Sequence, residues 1–260
     1  MKKNVIIHGN CLNVMTNIPD KSIDMILCDL PYGTTACKWD VIIPFKPLWK
    51  QYKRIIKDNG AIALFGSQPF TSMLVMSNSK MFKYEWIWKK SKPNGWQHAA
   101  NQPMKTTENI SVFSKGSMGH KSLLGSKRMT YFPQGVRNNG KFIVKSYTHG
   151  KTMGDRPKQV GKICNSKTGF PSNFLEYPNV IGKKAIHPTQ KPVALFEYLI
   201  KTYTNEGELV LDNCIGSGTT AIACINTKRD YIGIEKELEY VKVTKKRIKN
   251  YLKTIALLVD

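Results

Sequence analysis

Apolar positions along the chain follow two rhythms. Short runs dominated by aliphatic and aromatic residues predict buried strands over 4–8, 23–28, 61–65, 84–88, 110–113, 209–211 and 231–234. Between several of them the apolar residues recur at helical spacing, as with Leu48, Tyr52, Ile55 and Ile56 on one side of a helix over 45–57. Further helices are predicted over 11–17, from the turn Gly66-Ser67-Gln68-Pro69 to about Met76, from Pro192 to Tyr203, from about Gly218 to Asn226, and as a basic helix at the C-terminal end. Asp58-Asn59-Gly60 reads as a strong helix stop. Alternating strands and helices imply an α/β fold with a mostly parallel, doubly wound sheet.

The rhythm dissolves between residues 115 and 184. This stretch holds ten glycines and scattered aromatics: Tyr131, Phe132, Phe142, Tyr147, Phe170, Phe174 and Tyr177. It reads as a loop-rich insertion whose aromatics could anchor a small core. The expected organisation is one half-domain over 1–114, the insertion over 115–184, and the second half of the same domain over 185–260. No internal repeat is visible.

Charge changes the picture more than hydropathy does. Forty Lys and Arg against eighteen Asp and Glu give a formal net charge of +22, and a lysine-rich solvated surface is the plain explanation. The insertion, however, carries fourteen cations against Asp155 and Glu176, a local +12 that favours a polyanion, and nucleic acid first. Six cysteines, at 11, 28, 37, 164, 214 and 224, show no zinc-ligand spacing and read as small reduced core residues. No apolar run is long enough to span a membrane, and Val5-Ile6-Ile7 is too brief for a signal peptide, so a cytoplasmic protein with no membrane partner is expected.

Three segments carry candidate chemistry. Asp29-Leu30-Pro31-Tyr32-Gly33 puts a carboxylate, a rigid turn and an aromatic face at a strand end, where open α/β sheets bind ligands. Asp212-Asn213-Cys214-Ile215-Gly216-Ser217-Gly218-Thr219-Thr220 is a glycine loop between a strand and a helix, with Glu235 ending the next strand. Glycines there allow close backbone approach, and Glu235 is placed to accept from ribose hydroxyls, as in a nucleoside-cofactor site. Gly216-x-Gly218-x-x-Ala221 also satisfies the dinucleotide fingerprint, but only 42 residues follow Gly218, too few for a second mononucleotide half. His187-Pro188-Thr189-Gln190-Lys191-Pro192 opens a helix, and its plain reading is a proline-bounded start with Thr189 as N-cap. Trp86, Trp88 and Trp96 beside Lys89, Lys90 and Lys92 fit base stacking or one face of a strand equally well.

Together these segments resemble the amino-methylating DNA methyltransferases that use S-adenosylmethionine, in the permuted group whose catalytic motif precedes the cofactor motif. Asp29-Leu30-Pro31-Tyr32 is similar to that family's Asp-Pro-Pro-Tyr motif, and Asp212 to Thr220 to its Asp-Pro-Phe-x-Gly-Ser-Gly-Thr-Thr loop. The resemblance implies a Rossmann-like methyltransferase sheet with residues 115–184 as target-recognition insertion. It implies a catalytic group of Asp29, Leu30, Pro31 and Tyr32, with Asp29 and the Leu30 carbonyl gripping the target amine and Tyr32 stacking on the base. It implies cofactor contacts from Asn10, Cys28, Asp29, Gln190, Lys191, Asp212, Asn213, Cys214, Gly216, Ser217, Gly218, Thr219 and Glu235.

Departures from the family pattern are Leu30 for the first proline, Asn213-Cys214 for Pro-Phe, and Asn10 where the family usually has Asp. Asp29, where cytosine-N4 enzymes more often have Ser, favours adenine N6 in double-stranded DNA. Cytosine-N4 or RNA methylation, a non-catalytic nucleic-acid binder and, last, a dinucleotide oxidoreductase stay open at this point. So do a homodimer and a cognate restriction endonuclease as partners.

Overall fold

A computed structural model describes residues 1–119, 124–144, 161, 163–180 and 190–257. Its strands are β1 (Val5–His8), β2 (Ile23–Asp29), β3 (Ile56–Gly66), β4 (Phe82–Asn94), β5 (Lys105–Phe113), β6 (Arg137–Val144), β7 (Ile163–Thr168), β8 (Phe174–Glu176), β9 (Leu209–Asp212) and β10 (Asp230–Glu235). The helices are α1 (Cys11–Val14), α2 (Phe45–Ile55), α3 (Phe70–Ser77), α4 (Val193–Tyr203), α5 (Thr219–Asn226) and α6 (Leu238–Ala256). A short 3-10 turn, Met15–Asn17, continues α1 and completes the helix expected over 11–17.

Eight strands form one sheet in the order β1-β10-β9-β2-β3-β5-β4-β8. From β1 to β3 every neighbouring pair is parallel; β5 is antiparallel to both β3 and β4, and β8 lies parallel to β4. The sheet buries both faces, which is why its central strands read as continuous apolar runs. On β2, Met25 and Leu27 pack with α4 residues such as Leu195 and Phe196, while Ile26 and Cys28 pack with α2 and α3 residues such as Leu48, Tyr52 and Leu74. Strand β1 pairs with β10, from Val5 opposite Ile232 to His8 opposite Glu235, so the first strand completes the C-terminal side of the sheet.

Some boundaries moved for physical reasons. Helix α2 stops at Ile55 because Ile56 is already in register with Ile23, and Asp58-Asn59-Gly60 forms a bulge in β3 before Ala61 meets Met25. Gly60 is required there by crowding: a Cβ would lie 2.7 Å from the Asp24 carbonyl oxygen. Strands β4 and β5 extend well past the expected 84–88 and 110–113, and their register sets Trp88 opposite Glu108.

The insertion builds no core of its own among the described residues. Tyr131 and Tyr177 pack onto the main core, β8 joins the main sheet, and the β6–β7 ribbon leaves Phe142 73% exposed. Tyr147 lies outside the described residues.

Candidate active site

The C-terminal ends of β2, β9 and β10 open onto one cleft of about 540 Å³. Parallel strands converge their carboxyl ends on the same edge, so residues nearly two hundred positions apart meet there. The chain leaves β2 through Asp29, the buried Leu30, Pro31 and Tyr32. Asp40 then ties the loop down, accepting from the main-chain N–H groups of Gly33 (2.9 Å), Thr34 (2.9 Å) and Thr35 (2.7 Å). Burial would push its carboxyl up, but these donors win and hold it below the usual carboxylate range.

Asp29 is held at both oxygens. The Tyr32 hydroxyl donates to Oδ1 at 2.6 Å, and the Lys191 ammonium donates to Oδ2 at 2.5 Å. The Tyr32 ring stacks on Phe70 with centroids 5.1 Å apart. Lys191, 7% exposed, also lies 3.4 Å from Glu108 Oε2, and Glu108 Oε1 is paired with Lys90 at 2.5 Å. Two carboxylates and two ammonium groups thus share one buried network.

Burial raises the Asp29 carboxyl, with Lys191 pulling against it and Glu108 adding to the rise. Burial alone would lower Lys191, but Asp29 and Glu108 hold it up, so it stays charged. Glu108 is held down, since Lys191 and Lys90 outweigh its burial.

At the other end of the cleft, polar groups are satisfied mainly by nearby backbone. Asp212, 3% exposed, accepts from the Cys214 N–H at 3.0 Å and from the Thr220 hydroxyl. Burial pushes its carboxyl up to about 7. Glu235 accepts from the N–H groups of Gly216 (2.8 Å) and Glu237 (2.9 Å), which orients both oxygens and leaves each able to accept again. Asn213 accepts from the Tyr52 hydroxyl at 2.5 Å, tying the loop to α2. Asn10 caps α1, its side-chain oxygen accepting from the Leu12 N–H at 2.9 Å.

The cleft brings together Asn10, Asp29, Leu30, Pro31, Tyr32, Gln190, Lys191, Asp212, Asn213, Cys214, Gly216, Ser217, Thr219 and Glu235 in its lining. Cys28 and Gly218 fall outside it. Cys28 lies on β2 with its side chain fully buried toward α2 and α3, and burial pushes its thiol up to about 12. Gly218, at φ +82°, faces α6: a Cβ there would lie 2.7 Å from Thr244 Cγ2, so the glycine makes room for a helix as well as a turn. His187, Pro188 and Thr189 lie outside the described residues. Trp86 and Trp88 are core residues, donating to the Tyr203 hydroxyl and the Tyr177 carbonyl, and only Trp96 is exposed. Stacking on bases by Trp86 is thereby corrected to packing, though Trp88 touches the cleft wall.

Sequence reasoning missed Glu108 and Asp40, and singled out Lys90 only as a cation beside the tryptophans, not as the partner of Glu108. For Glu108 the signal existed in the alternation of β5, but only strand register places it beside Lys90 and Lys191. Trp39 and Tyr240, with centroids 6.4 Å apart, line the cleft near Glu235 and were also missed.

A doubly wound sheet with a glycine loop and an acidic residue at successive strand ends defines a Rossmann-like nucleotide-binding fold. A solved structure of M1.HpyAVI in complex with SAM superposes with a TM-score of 0.58 at 25% identity, covering 93% of this chain and 98% of that one. The chain belongs to the N6/N4 DNA methylase family, whose model matches residues 23–246. It is 27% identical over 259 residues to type II methyltransferase M.HpaI of Haemophilus parainfluenzae, covering 94% of this chain and 73% of that one. It is also 27% identical over 261 residues to DNA adenine methyltransferase YhdJ of Escherichia coli strain K12, covering 94% and 82%.

Proposed function

We propose that the protein methylates N6 of adenine in double-stranded DNA, with S-adenosylmethionine as donor, on a base turned out of the duplex. The observation that carries this reading is Asp29 at the end of β2, in the same cleft as the glycine loop and Glu235. The donor set suits the cofactor: the Glu235 carboxylate, oriented by two amides, can accept from ribose hydroxyls, and Lys191 with Gln190 can face an amino-acid carboxylate. When bound, that cofactor supplies a methyl group on a positively charged sulfur.

The chain's own residues prepare the amine. An exocyclic amine is planar and poorly nucleophilic because its lone pair delocalises into the ring. Acceptance of its hydrogens by Asp29 and the Leu30 carbonyl favours the pyramidal form that can attack, an interaction strongest in the transition state. Turning the base out costs roughly a few kcal/mol, offset in part by stacking on Tyr32. Leu30 in place of proline leaves this role intact, since only its carbonyl is used.

Residues 115–184 serve, in this reading, as the target-recognition segment between halves 1–114 and 185–260. Its exposed Lys127, Arg137, Lys141 and Lys167 supply cations for phosphates. No helix among the described residues is long and apolar enough to cross a membrane. The reading also carries a cytoplasmic location, a homodimer and a cognate restriction endonuclease; light scattering tests the dimer, and resistance of DNA from expressing cells to cleavage tests the endonuclease pairing. The central experiment incubates protein, duplex DNA and radiolabelled cofactor and separates the nucleosides. Label in N6-methyladenine is expected; label in N4-methylcytosine would overturn the adenine assignment.

A further inference from the structure

The proposed chemistry needs Asp29 to accept from a substrate amine, yet each of its oxygens already accepts one bond, Oδ1 from the Tyr32 hydroxyl and Oδ2 from Lys191 at 2.5 Å, and the ammonium charge makes Oδ2 a poorer acceptor for a second donor than a carboxylate held by neutral amides. Lys191 is 7% exposed, so if it released Asp29 without another anion in reach, it would become an unpaired buried ammonium, a state that costs heavily. Among the protein's described residues, one other carboxylate is in reach. Glu108 Oε2 lies 3.4 Å from Lys191 Nζ, is buried, and makes no hydrogen bond. Its sister oxygen is fixed by Lys90 at 2.5 Å, and Lys90 is itself held 5.5 Å over the Trp88 ring, so Glu108 is clamped with its free oxygen toward Lys191. The 3.4 Å separation is slightly long for a charge-assisted hydrogen bond, and a shift of under 1 Å closes it.

We infer that Glu108 is a positioning residue that takes over the Lys191 ammonium when the target amine arrives, freeing Asp29 Oδ2 to accept from that amine. Lys191 keeps its proton throughout, and no covalent bond changes in the exchange. Two carboxylates and two ammonium groups stay balanced in both arrangements. This inference rests on the methyl-transfer reading of the same cleft.

The test is Glu108→Gln beside the double variant Glu108→Gln/Lys90→Met. An amide cannot replace the charge that draws Lys191 away, so the single variant is expected to lose about 100-fold in kcat, the scale of a misplaced reacting group. KM for cofactor should change by less than kcat does, because the glycine loop and Glu235 are untouched and Lys191 keeps its charge. The double variant removes one charge of each sign and keeps an unbranched chain over Trp88. Its melting temperature should return toward wild type while kcat stays low.

Unchanged kcat in Glu108→Gln overturns the inference. So does recovery of kcat in the double variant, which would make Glu108 a charge balancer only. The double variant also keeps the test readable if the single variant loses its fold. Wild-type protein in the same assay carries the parent reading: methylation by wild type with full activity in Glu108→Gln overturns the exchange alone, and no methylation by wild type overturns both.

Discussion

At the glycine-loop end of the cleft, Asp212 and Glu235 are bonded by main-chain amides and one hydroxyl from adjoining turns, whereas at the far end Asp29 and Glu108 are bonded largely by ammonium groups from other elements. The first arrangement is finished: its donors are fixed in the backbone and need not move for a ligand to be accepted. The second is provisional, because an ion pair between side chains can exchange partners while a main-chain amide in a fixed turn cannot. A cleft that must hold one ligand and act on another has reason to be built in these two ways.

Removing the centre of the ionic end should have the largest effect. Asp29→Ala is expected to lower methyl transfer by about a thousandfold or more, the scale of losing a group that acts in the transition state. Cofactor affinity by calorimetry should change little; near-normal turnover would break the contrast between the two ends.

Next in size is a pH effect at the backbone-bonded end. The folded Asp212 carboxyl holds its proton to about 7 against an ordinary 3.8, so the native state binds more protons between those values and stability falls as pH rises through that window. Asp212→Asn keeps the acceptor for the Cys214 N–H and offers an N–H to Thr220 in place of the acceptor. Its stability should be flatter with pH, with a relative gain at pH 8 of at most about 4 kcal/mol, read by denaturant titration at pH 5 and pH 8. Equal pH slopes would show that Asp212 is ionised in the fold.

Smaller still is the expected cost of Gly218→Ala. A left-handed backbone and the 2.7 Å approach to Thr244 Cγ2 should together destabilise by about 1–3 kcal/mol in thermal melts. Thr244→Ser, which removes that methyl group and keeps the hydroxyl bond to the Gly216 carbonyl, should recover part of the loss. The smallest change is expected from Asn10→Asp: aspartate caps a helix about as well, so stability should stay within about 0.5 kcal/mol. A larger loss would mean the amide nitrogen of Asn10 is in use.

Local features of this architecture were legible where local physics decides them. Ile23 to Cys28 announced a buried strand because both its faces are covered, and the helix after Gly218 announced itself through the turn before it. Asp58-Asn59-Gly60 misled because the same residues that stop a helix also suit a bulge, and only the register with Ile23 and Met25 tells them apart. Trp86 and Trp88 obeyed strand alternation, but which side of the sheet is wet depends on α4, more than a hundred residues later. Asp29 and Lys191 could each be singled out, yet their pairing across 162 positions, and the place of Glu108 between Lys191 and Lys90, come from strand order together with where the segment leading into α4 crosses the sheet edge.

The pairing of β1 with β10 has a consequence for how the molecule is made. Val5 waits for Ile232, and His8 for Glu235. At roughly 5–20 residues per second of synthesis, the early strand spends on the order of 10–50 s on a growing chain without its partner. The next strand along the chain, β2, can meet β3 long before β9 exists, so one side of the sheet can take shape while the other is still being translated. The edge that binds the proposed cofactor therefore becomes competent only once β10 has been made, later than the β2–β3 side, and ligand capture reports that β1, β9 and β10 have come together.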